Sequence, residues 1–203
     1  LRLRIAIGSI GVGVLVLVLK YAAYRLTGSI ALYSDALETV VNVASSIATL
    51  IAIWFASKPA DSNHPYGHDK AEYFAAVLVG VMIVLAAISI FRASWLGYTG
   101  DQQVTYSPLG LGINAAAAVI NGGWAFVLIR TGHRSRSPAL VADGKHLTTD
   151  VVTSLGVLLG VGLVLLTGWR ALDPALAALV GLNVLWTGWD VVKESVSGLM
   201  DEA

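Results

Sequence analysis

Cysteine is absent from this chain, which removes disulfides and thiolate metal ligands and leaves the redox compartment unassigned. Charge is scarce as well. Asp, Glu, Lys and Arg make up 13% of the 203 residues and cancel to a formal net charge of +0. Soluble domains carry about 25% charged residues, so this set is too small to cover a water-facing surface. The neutral balance also offers no basic footprint for a nucleic-acid partner. There is no low-complexity stretch and no segment polar enough to form a separate soluble domain.

What fills the sequence is apolar: 56% of residues are hydrophobic and the mean hydropathy is +0.74. Residues 73–91, 108–129 and 151–169 contain no charge at all. Each run is long enough to cross a bilayer core, which takes about 17–25 apolar residues as a helix. The pattern predicts an all-α integral membrane protein with six transmembrane helices, at 4–26, 30–56, 70–95, 108–129, 138–167 and 174–192. The whole of 1–203 reads as one membrane domain. It opens at Leu1 without a methionine and closes in a polar segment at Ala203, so a trimmed chain is expected. The first run reads as a true span rather than a cleavable signal, because more spans follow it.

Lys and Arg in the loops set the orientation. Arg2, Arg4, Lys58, Lys70, Arg130, Arg134, Arg136 and Lys193 fall on one side, against Arg25, Arg92 and Arg170 on the other. The richer side is expected to be cytoplasmic, with both termini on it.

Charges and amides inside a span are costly and usually have a partner and a task. Glu38 and Asn42 stand at i and i+4 on the second span, and His146 and Asp150 at i and i+4 on the fifth. That spacing stacks each pair on one helix face. Facing one another, the pairs would supply the ligands of one tetrahedral ion, and carboxylate with imidazole suits first-row divalent metals. Asp35 and Asp143 precede Glu38 and His146 by three residues; they can cap helices, line the aqueous access, or pair with Lys145 or Lys20. Asn114, Asn121 and Asn183 read as interhelical glue. In the loop after the second span, Asp61, His64 and His68 form a cluster broken by Pro65 and Gly67. Those breakers mark a loop, which is either a second metal site or a solvated polar turn.

Taken together, the stretch from Pro59 to Glu72, the segment Gly28 to Leu32, the run from Ala142 to Asp150 and the end from Leu199 to Ala203 resemble the cation diffusion facilitators, or cation efflux proteins. The resemblance covers nearly the whole chain. It implies a homodimer in the cell (inner) membrane that exports divalent metal from the cytoplasm in exchange for protons by alternating access. The implied transport site is Glu38, Asn42, His146 and Asp150; the implied loop site is Asp61, His64 and His68; a charge interlock would fall on Lys70 and Asp201. The family's C-terminal cytoplasmic domain is not in this sequence. Members of the zinc type carry His or Asp, then Asp, in the second span, where this chain has Glu38 and Asn42. Zinc stays the first expectation, and the amide gives weight to manganese, iron, cobalt and nickel. The metal is cargo, and no organic cofactor is expected. Three rivals stand beside the metal transporter: a non-transporting metal-binding scaffold or sensor subunit, an intramembrane metalloenzyme, and a transporter for a different small ion or molecule. The second lacks a positioned nucleophile or an H-E-x-x-H motif, so no enzymatic activity is expected.

Overall fold

The computed structural model describes residues 2–56, 70–100, 107–135 and 138–199. These residues form six helices and no strand: α1 (Arg2–Thr27), α2 (Ile30–Ala56), α3 (Lys70–Thr99), α4 (Pro108–Ser135), α5 (Pro138–Thr167) and α6 (Leu172–Leu199). The bounds of α2 and α5 coincide with the expected spans. α4 and α6 run past them, because helical hydrogen bonding continues after the apolar run has ended.

The turns explain where the chain reverses. Gly28 takes the left-handed conformation (φ 67°) that glycine adopts without steric cost, and its N–H reaches back to Tyr24 O at 2.8 Å, closing α1. Ser29 then caps α2, its Oγ accepting from Leu32 N at 3.2 Å. Ser107 does the same for α4 through Gly110 N at 3.1 Å, with Pro108 at the first helical position, where its missing N–H costs nothing. Gly168 (φ 70°) ends α5.

α3 packs most extensively on α6, and α4 on α5; α1 lies against α2 and α4, and α2 also touches α3, α5 and α6. The bundle is apolar outside and partly polar inside. Leu166 is 85% exposed while Lys20 is 0% exposed, the reverse of a water-soluble protein. Among the described residues, Ile7–Thr27, Val77–Thr99, Pro108–Arg134 and Asp143–Thr167 are long and apolar enough to cross a bilayer, and Leu172–Trp186 is a shorter apolar stretch. α2 carries Asp35, Glu38 and Asn42 along its length, and in α6 the charges Asp190, Lys193 and Glu194 follow the apolar part.

Candidate metal-transport site

α2 places Asp35, Glu38 and Asn42 along one stripe, and α5 places Asp143, His146, Asp150 and Ser154 along another, both at helical spacing. The cross-contacts show that the stripes face each other and run antiparallel. Asn42 meets His146 and Asp150, and Asp35, further back on α2, meets Ser154, further forward on α5.

At the centre stands the Asn42 amide. Its Oδ1 accepts from His146 Nε2 at 3.0 Å, which requires a proton on that ring nitrogen. Its Nδ2 donates to Asp150 Oδ2 at 2.9 Å. A second amide, Asn121 of α4, approaches the same carboxylate oxygen at 3.4 Å. Asp150 is buried, and His146 is exposed beside the exposed Lys145 and Thr149. Glu38 is buried and its Oε2 has no hydrogen-bond partner, although Asp150, Asp35 and Lys20 all lie within electrostatic reach. A buried carboxylate oxygen without a partner is costly, and a cation is the partner that suits it. Asn42 thus links His146 and Asp150, so that three of the four expected ligands are joined through its amide, with Glu38 within electrostatic reach of Asp150. Among the described residues, no group of three or more His, Cys, Asp or Glu side chains is yet drawn close enough to hold a metal ion. A cation taking Asn42 Oδ1 as ligand would displace the His146 N–H from it, while Nδ2 can keep its bond to Asp150.

Asp35 and Asp143 resolve into different roles. Asp35 pairs with Lys20, whose Nζ stands 2.8 Å from Oδ1, and both side chains are buried. It also accepts from Ser154 Oγ at 2.8 Å and from Asn114 Nδ2 at 3.4 Å. Asp143 accepts from Ser9 Oγ at 3.1 Å, and Ser9 in turn accepts from Trp124 Nε1 at 2.9 Å. That chain ties α5 to α1 and α4 at the open end of the site. Asn114 and Asn121 thus do more than join helices, and Ser154, which the sequence does not single out, joins them at these carboxylates. The available signal was their spacing: Ser154 falls at i+4 from Asp150, and the two asparagines are seven residues apart on α4. Asp61, His64, His68 and Asp201 lie outside the described residues, as does the side chain of Lys70 at the start of α3.

The model of the cation efflux transmembrane domain matches residues 6–200. An uncharacterized transporter of Synechocystis sp. is 46% identical over 198 residues, which is 98% of this chain and 64% of that protein. The cation-efflux pump FieF of Salmonella arizonae is 26% identical over 98% of this chain and 66% of its own length. The Escherichia coli pump of the same name is 27% identical with the same shares. The chain therefore spans about two thirds of the length of the curated relatives it matches.

Proposed function

The chain belongs to the cation efflux transmembrane-domain family, and we propose that it exports divalent transition-metal cations from the cytoplasm by proton antiport and alternating access. The observation that carries this is the His146–Asn42–Asp150 contact beside the partnerless Glu38 oxygen. These are two carboxylates, an imidazole and an amide oxygen, presented by two facing helices inside the bundle. Zinc is the first cargo, with manganese, iron, cobalt and nickel behind it, because the donor set is nitrogen and oxygen only.

The charges favour a divalent ion. The Lys20 ammonium shares its surroundings with Asp35, Asp150 and Glu38. When all three carboxylates are ionised, one ammonium leaves two negative charges uncompensated, which a divalent cation neutralises.

The same atoms offer a route for exchange with protons. His146 Nε2 holds a proton while it donates to Asn42. A metal takes a ring-nitrogen lone pair that a proton would otherwise occupy, so metal and proton compete for the imidazole. Release on the far side reverses the step: a proton takes Nε2, Asn42 re-forms its bond, and the cation leaves.

On this reading all six helices cross the cell (inner) membrane, α2 and α6 included, with both termini cytoplasmic and the exposed His146 end of the site facing the cytoplasm. The functional unit is a homodimer. Asp61, His64 and His68 hold a second metal, and Lys70 with Asp201 forms an interlock near the cytoplasmic surface.

The test is flux of Zn²⁺, Mn²⁺, Fe²⁺ and Co²⁺ into liposomes containing the purified protein, with and without a pH gradient, beside Asp150→Ala. Gradient-stimulated flux that Asp150→Ala abolishes is the expected result, and the preferred ion names the cargo. No flux of any ion through folded protein would overturn the transport reading and favour a scaffold.

A further inference from the structure

Lys20 is a fully buried cation that metal coordination does not use. It belongs to a layer of its own. Asp35 of α2 sits at the centre, receiving Lys20 of α1, Ser154 of α5 and Asn114 of α4. Every one of the four helices around the candidate site contributes one side chain. Lys20, Asp35 and Asn114 are 0% exposed and Ser154 1%. The layer lies seven residues from Asn42 along α2, or about 10 Å. It stands on the side away from His146.

The two ends of the site therefore differ. Toward the start of α5, His146 and its neighbours Lys145, Thr148 and Thr149 are exposed. Toward the start of α2, the Lys20–Asp35 layer is sealed. A lone lysine in this position would be untenable; held by a carboxylate it becomes a plug whose closure depends on one ion pair. The positive charge adds to the obstruction, because a cation leaving Glu38 and Asp150 toward that side has to pass an ammonium.

We propose that Lys20 is a positioning residue of the transport cycle: its ion pair with Asp35, braced by Ser154 and Asn114, is the gate that closes the site on the side opposite His146. Opening to that side requires the four helices to part at this layer, so Lys20 must leave Asp35 or move away with it. The proposal rests on the transport reading for its meaning, but the gate can be measured without metal.

The sequence contains no cysteine, so Asn42→Cys supplies a single thiol at the site. A membrane-impermeant thiol reagent is applied from either face of sealed vesicles. With Lys20 intact, labelling is expected from the face nearer His146 and is slow from the opposite face. Lys20→Met is expected to speed opposite-face labelling about tenfold or more, since an ion pair no longer biases the closed state, whereas Lys20→Arg keeps it slow. If Lys20→Met does not fold, Lys20→Met with Asp35→Asn removes both charges and asks the same question. Opposite-face labelling unchanged in the folded variants would overturn the gate, as would Lys20→Arg behaving like Lys20→Met. Metal flux through the unmodified protein with unchanged labelling sinks the gate alone. Altered labelling with no flux of any metal sinks the transport reading and leaves the gate standing.

Discussion

The α3–α6 pair and the four-helix group α1, α2, α4 and α5 are both packed bundles of apolar helices, yet their interiors differ in kind. Between α3 and α6 the contact is mostly hydrocarbon and backbone, with the Ser94 hydroxyl on Pro174 O as a polar exception. Gly181 lies against Ile90, Gly188 against Ile83 and Gly80 against Val192, within a core that includes Val79, Ala87, Val180 and Val184. In the four-helix group the interior holds Lys20, Asp35, Glu38, Asn114, Asn121, Asp150 and Ser154. Lipid gives no hydrophobic drive to helix association, so the first interface relies on close fit through small residues. The second relies on hydrogen bonds and charge pairs that can be exchanged for others. Tight apolar fit has one good arrangement; polar partners can be traded for a cation or a proton.

Breaking the polar side should have the largest effect. Glu38→Gln is expected to lower metal flux at least about 100-fold, since losing even an outer partner of a metal site costs about 10–100-fold. The protein should remain folded by gel filtration. The matching change on the apolar side, Ile83→Val, should cost only about 0.5–1.5 kcal/mol of stability and leave flux intact. Flux lost equally in both would erase the contrast.

Two glycine substitutions sharpen it. A methyl at Gly144 would sit 3.0 Å from Ala125 O and Ile129 N, backbone atoms that cannot turn aside. Gly144→Ala should therefore force α5 from α4 at a cost of about 1–3 kcal/mol, and depress flux because His146 and Asp150 ride on α5. At Gly181 the obstacle is chiefly the Ile90 side chain, which can adjust, so Gly181→Ala should lower the melting temperature less and spare flux. Smaller still, Asp173→Ala removes the acceptor for Ser29 Oγ and for the N–H groups of Ile30 and Ala31. A lost helix cap costs about 1 kcal/mol, to be read as a lower melting temperature with unaltered metal preference. Ser94→Ala deletes the bond to Pro174 O, a loss of about 1 kcal/mol on the stiff side, again with flux unchanged.

How much of this was legible beforehand depended on the range over which each feature acts. Helix extent follows local hydrophobicity, and the helices α2 and α5 begin and end where the spans were expected to. The Glu38–Asn42 and His146–Asp150 pairs were visible because helical spacing is a local property too. That Asn42 would stand between His146 and Asp150 was not readable, because it depends on the register of two helices far apart in sequence. For the same reason the partner of Asp35 stayed open between Lys20 and Lys145 until the fold buried the first and exposed the second. Ser154 and Asn114 carry no distinctive signal; Ser and Asn are common in spans, and only their meeting at Asp35 gives them a role. Asp173 was invisible because a helix cap is ordinarily sought in the preceding residues, whereas here an acid of α6 serves α2.

That cap has a mechanical consequence. Asp173 holds the first N–H groups of α2, Ser94 of α3 holds Pro174 beside it, and Gly97 leaves room for both Ile30 and Pro174. Three helix ends are riveted at one spot, which makes the start of α2 a fulcrum and the rest of the helix a lever arm. Asn42 lies eleven residues from Ala31, or about 16 Å of lever. A swing of about 10° about the rivet carries its amide about 3 Å, enough to separate it from both His146 and Asp150.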